Sequence, residues 1–196
     1  MDIIYQLLIT GVIFLIFLLS GIKVKNRRTW WIDTQILFFT FTVVIYIINA
    51  HVVLSLTSYV LMTVFVILHI VGARFSYIEI PFGYTLGKIF HTQRNIFDRL
   101  VHFSFGLLFT YPFYEVFFKN IGLDGFLVYY LPFSQILAIS ALFEIFEWLR
   151  SSVLDPELAE QFVGMQGDIW DSSKYRAIAG AGSLVAIAVI FALNIL

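Results

Sequence analysis

The chain has 196 residues, of which 60% are hydrophobic, 18% aromatic and only 13% charged, and its mean hydropathy is +0.91. Soluble domains carry about 25% charged residues, so this composition excludes one, and a net charge of −1 argues against a partner bound through a nucleic-acid backbone, which needs a basic face. There is no cysteine, which removes disulfides, thiolate metal ligands and cysteine nucleophiles.

Polar loops cut the chain into apolar runs of about 17 to 25 residues, each long enough to cross a hydrocarbon layer of about 30 Å. The prediction is an all-α, polytopic transmembrane helical bundle: one integral membrane domain over 1–196, with six spans at 3–22, 31–49, 52–72, 98–118, 126–150 and 175–195. The first run, Ile3 to Ile22, has no basic n-region and no small-residue cleavage site, so it reads as a retained helix and not a removed signal. Loop one follows with Lys23, Lys25, Arg27 and Arg28, and then Trp30 and Trp31 open the second span as interfacial anchors, with Asp33 and Gln35 as caps.

The third span contains His69, with His51 at its outer end; both stand apart from other titratable residues in the sequence and read as packing histidines. Loop three, from Ala73 to Phe97, is long and holds Arg74, Lys88 and Arg94, with Arg99 just beyond. The fourth span begins with Asp98 and His102, four apart and so on one helical face, and ends with the Glu115/Lys119 pair about 25 Å away. The fifth carries Glu144 and Glu147 near its end, followed by Arg150. Loop five supplies Gln166, Asp168 and Asp171, and Asp171 or Ser172 is placed to cap the sixth helix. Gly180 to Ser183 is a small-residue stretch that lets another helix approach closely. Loops three and five are rich in aromatic and apolar residues, so both are expected to fold back on the bundle as interfacial caps.

Eleven of the twelve lysines and arginines fall in or beside loops one, three and five, and the twelfth is Lys119. Positive-inside bias therefore predicts these loops in the cytoplasm and both termini outside. At the depth of those loops, five carboxylates (Asp98, Glu144, Glu147, Asp168, Asp171) and one imidazole (His102) are expected to share a layer. Charges at that depth need a counter-charge, which can be a divalent cation, bound protons or the nearby arginines. Oxygen-rich ligation with one imidazole suits Mg2+ or Mn2+, with Zn2+ as a further option. The candidate metal ligands are Asp98, His102, Glu144 and Asp168, and Glu147 or Asp171 is the candidate general base.

Four blocks, His69 to Gly83, Arg94 to Phe103, Ser140 to Trp148 and Phe162 to Asp171, resemble in order the signature blocks of the YjdF-like bacterial inner-membrane proteins. The resemblance implies a polytopic inner-membrane protein and a shared motif set containing Asp98, His102, Glu144, Glu147, Asp168 and Asp171, but no reaction. Two departures stand out: Tyr175 replaces a further aspartate of that pattern, and Tyr114 replaces an arginine before Glu115. The stretch Asp98 to Phe103 is more faintly similar to VanZ-like membrane proteins, which points toward a cell-envelope lipid.

Three functions are compatible with these residues. One is a metal-dependent enzyme acting on a lipid or lipid-linked phosphate, in which the cation activates water or an oxygen and a carboxylate serves as base. Another is a proton- or cation-coupled carrier using the same groups, and the last is a structural membrane protein whose acidic layer pairs with arginine.

Overall fold

The structure, a computed structural model, describes residues 3–24, 27, 30–31, 52, 54–75, 77, 79–152 and 166–193, with the side chains of 3–7 and 150 set aside. These form six α-helices and no strand: α1 (Ile3–Ser20), α2 (Leu56–Arg74), α3 (Pro81–Ile89), α4 (Phe97–Glu115, continued by a π-helical turn Val116–Asn120), α5 (Leu127–Ser151) and α6 (Asp171–Ala192). The described residues are thus all-helical apart from turns and loops, as the sequence predicts. Leu56–Arg74, Leu127–Leu149 and Asp171–Ala192 are each long and apolar enough to cross a membrane. The span predicted at 31–49, together with Asp33, Gln35 and His51, lies outside the described residues, apart from Trp31.

Helix boundaries follow their caps. α2 starts four residues later than predicted because Ser55 takes the N-cap, its hydroxyl accepting from Ser58 N at 3.3 Å. α6 starts four residues earlier, at Asp171, and has no side-chain cap. Asp171 therefore does not cap this helix. Its carboxylate turns to cationic partners instead, while Asp168 O accepts from Asp171 N at 3.1 Å.

The closest packing joins α4 to α6 and depends on two glycines. A methyl group on Gly106 would strike the carbonyl of Ala179 and the amide of Ser183; one on Gly182 would strike the carbonyl of Phe103 and the amide of Leu107. With no side chain at either point the two backbones touch, the device that lets helices associate where water supplies no driving force. Thr110 Oγ1 bonds Ser183 Oγ at 2.7 Å and fixes the register. Gly180, on another face of α6, meets Leu137 and Phe133 of α5.

Each end of the bundle has its own lock. At one end, buried Glu115 accepts from Ser55 N (2.9 Å), Ser55 Oγ (3.0 Å), Ser58 Oγ (2.6 Å) and Lys119 Nζ (2.8 Å), which ties the start of α2 to the end of α4. This carboxylate is fully satisfied, and charge-assisted bonds of this kind exceed neutral ones in strength. At the other, basic end, Arg74 donates to Ser20 O at 2.6 Å and to Leu19 O at 3.3 Å, covering the last carbonyls of α1. Trp30 is buried here, stacked on Phe17 at 5.3 Å with its indole N–H donating to Ser20 Oγ at 3.0 Å. It is a core residue and not the interfacial anchor its sequence position suggests, whereas Trp31, Trp148 and Trp170 are more than half exposed.

Part of loop three folds into the short helix α3. Gly83 sits against the Asn95 side chain and Gly87 against the Arg94 carbonyl, leaving Phe82, Tyr84, Ile89 and Phe90 outward. Buried Asn95 then organises the turn into α4: its amide nitrogen donates to Ile80 O (2.9 Å) and its side-chain oxygen accepts from Phe97 N (3.1 Å). Gln166 closes the arrangement reciprocally, its oxygen accepting from Asn95 N and its nitrogen donating to Asn95 O, both at 3.0 Å. Loops three and five are joined at this point, and residues 153–165 of loop five lie outside the described residues.

Candidate functional site

The Asp98/His102 face of α4 turns toward α5. His102 Nε2 lies 3.7 Å from Asp98 Oδ1 and 3.7 Å from Glu144 Oε1, so an imidazole stands between two carboxylates contributed by two helices. His102 and Glu144 are each 7% exposed. Neither 3.7 Å separation is a hydrogen bond, and among the described residues Glu144 Oε1 is buried with no hydrogen-bond partner. Ser140, one turn earlier on α5, has a buried hydroxyl in the same condition. Polar atoms left open in this way are uncommon in folded proteins and point to a missing partner.

Tyr175 is the other wall of this group. Its ring lies parallel to His102, with centroids 4.4 Å apart and planes 1° apart, and its hydroxyl donates to Asp171 Oδ2 at 2.7 Å. Tyr175 therefore connects the imidazole to a second, cationic layer. In that layer Asp171, 1% exposed, pairs with Arg94 and, at 3.1 Å, with Arg99. Asp168 pairs with Lys174 at 2.7 Å, Arg99 at 2.9 Å and Arg94 at 3.7 Å. Arg94 Nη2 also donates to Tyr175 Oη at 3.1 Å.

The six predicted site residues therefore divide. Asp98, His102 and Glu144 form one group, while Asp168 and Asp171 belong to the guanidinium layer. Glu147 is half-buried on α5. Oxygen and imidazole donors would suit Mg2+, Mn2+ or Zn2+ chemically, but Asp168 is committed to three cations, and among the described residues no three histidines or carboxylates are grouped to hold an ion. The four predicted metal ligands do not form one ligand set.

His69 is a buried, hydrogen-bonded packing histidine, as its sequence position suggests, but sequence spacing does not show its partners. It looks isolated along the chain, yet its Nδ1 lies 2.8 Å from Tyr77 Oη, and its ring packs on Phe143 at 6.2 Å, the same ring that His102 meets at 6.1 Å. Only the turn after α2, where Tyr77 N donates to Gly72 O at 2.9 Å, brings the phenol back to the histidine, and no helical periodicity signals that turn.

Asp168 supplies a pH prediction. Its hydrogen bond from Lys174, followed by that from Trp170 N and the charge of Arg99, holds its carboxyl below the ordinary aspartate range. A depressed folded value contributes stability above the unfolded aspartate pKa of about 3.9, and that contribution is lost as pH falls through the folded value. Thermal melting in detergent is expected to drop below about pH 4, with a shallower drop in Asp168→Asn. Equal slopes in the two proteins would contradict the assignment.

The comparisons with known proteins agree with this architecture. The model of a family described as predicted membrane protein (DUF2238) matches residues 5–194. The chain belongs to that family of membrane proteins. It is similar to the inner membrane protein YjdF of Escherichia coli (strain K12), at 26% identity over 174 residues, covering 88% of this chain and 82% of that protein. No solved structure matches.

Proposed function

We propose that this chain is a polytopic inner-membrane protein, with its basic end in the cytoplasmic leaflet, whose Asp98–His102–Glu144 group carries out acid–base chemistry on a lipid or lipid-linked phosphate. The observation that carries the reading is the buried imidazole equidistant from two carboxylates, one of them with an open oxygen. An ionisable residue within a span is expensive and is retained for function by default. His102 is placed to pass a proton to or from either carboxylate, and a group of this kind contributes about 10²- to 10⁴-fold to a reaction. Arg99 and Lys174, 27% and 49% exposed at the side chain, reach the depth of headgroups and supply positive charge for a phosphate.

The inner-membrane location rests on the likeness to a protein of that name and the orientation on the loop charges. A structural role for the cationic layer is compatible with this reading, since Asp168 and Asp171 are held by arginine as a structural acidic layer would be. A proton-coupled carrier would use the same His102.

The test compares lipid extracts from cells that lack the gene with extracts from cells that express wild-type protein, Glu144→Gln or His102→Gln. Loss of the gene is expected to accumulate a lipid-linked phosphate, and both variants to reproduce this at normal protein levels. Variants that restore the wild-type lipid profile would end the enzymatic reading, and proton uptake into proteoliposomes that vanishes in Glu144→Gln would replace it with the carrier.

A further inference from the structure

Phe143 lies between two histidines contributed by different helices. His69 comes from α2 and His102 from α4, and their rings meet Phe143 of α5 edge-on at interplanar angles of 79° and 72°. Both imidazoles are 7% exposed. Among the described residues His102 makes no hydrogen bond through either ring nitrogen, and His69 makes one only through Nδ1. Glu144 Oε1 and Ser140 Oγ are buried here without a hydrogen-bond partner among the described residues. A polar occupant of matching shape is the physical remedy.

Tyr77 holds the His69 ring. Tyr77 Oη lies 2.8 Å from His69 Nδ1 and 3.5 Å from the His69 carbonyl oxygen, so the phenol and the ring nitrogen share a hydrogen bond whose direction the tautomer sets. Where Nδ1 accepts, the neutral imidazole carries its hydrogen on Nε2. Two features mark the position of Tyr77. Its backbone takes φ +52°, a left-handed conformation unfavourable for a non-glycine residue, and its ring lies on Gly72, where a Cβ would strike it. Strain of this kind persists where the surroundings over-determine a position, and it collects at ligand sites.

We propose that His69 belongs to the substrate site as a hydrogen-bond donor through Nε2–H to an anionic oxygen of the lipid-linked phosphate, with Tyr77 as its positioning residue. This rests on the function proposed above and adds a second histidine to it. His102 exchanges the proton and His69 holds the oxygen.

The test uses full-length protein, 15N-labelled at histidine, in phosphatidylcholine vesicles with and without phosphatidate as the phosphate-bearing probe. Solid-state NMR is expected to show His69 protonated at Nε2 and bare at Nδ1, and phosphatidate is expected to shift both His69 and His102. Tyr77→Phe removes one hydroxyl and Gly72→Ala displaces the ring. Each is expected to move the Nδ1 resonance and to weaken phosphatidate binding about tenfold while the protein stays folded. The proposal is overturned if phosphatidate shifts His102 alone, if His69 carries its proton on Nδ1, or if Tyr77→Phe binds as wild type. The lipid profile separates the two levels of inference. A profile altered by Glu144→Gln and untouched by His69→Gln sinks this proposal only, whereas a profile untouched by both sinks the enzymatic reading beneath it.

Discussion

Asp171→Ala is expected to destabilise the protein by about 3–5 kcal/mol, the range for breaking a buried ion pair by removing one partner. The carboxylate is 1% exposed and serves Arg94, Arg99 and the Tyr175 hydroxyl together. Its loss removes the nearest carboxylate from Arg94, whose side chain is 9% exposed, and releases the tyrosine that stacks on His102. Asp171→Asn keeps an acceptor for Tyr175 and is expected to cost less. Thermal unfolding in detergent checks both variants. If Asp171→Ala melted with the wild type, the cationic layer would be ornamental.

The second large effect belongs to the glycine contact between α4 and α6. Gly106→Ala and Gly182→Ala each place a methyl group against the opposite backbone, where no rotamer change gives relief. Overpacking typically costs about 1–3 kcal/mol, and the upper end is expected here because the helices must separate along their length. Since Thr110–Ser183 and the His102–Tyr175 stack bridge the same two helices, function is expected to fall together with stability. Gly11, with open space around it, is the control: Gly11→Ala should be neutral within about 0.5 kcal/mol. A Gly182→Ala protein as stable as Gly11→Ala would mean that the helices do not pack as described.

Hydropathy and loop charge were enough to read the helical membrane class, because a bilayer permits few backbone solutions and long apolar runs announce one of them. Helical spacing also put Asp98 beside His102 on one face. Spacing within a helix says nothing about which neighbour that face meets, and so it could not separate Asp168 and Asp171, bound to arginine, from Glu144, which faces the imidazole. Trp30 illustrates the same limit: its hydrogen bond to Ser20 depends on how the chain re-enters after α1. Tyr77 and His69 meet through a left-handed turn, and Gln166 reaches Asn95 across 71 residues; neither has a local period to detect.

The Gln166–Asn95 clasp and the adjoining ion pairs have a consequence for biogenesis. Synthesis delivers Arg94 and Arg99 well before Asp168 and Asp171, so a nascent chain that has emerged only through α5 carries two guanidiniums without these partners and an unclasped entry to α4. Arrival of the final hairpin neutralises that charge and closes the turn in one event. A chain truncated before it would keep the unbalanced end on display.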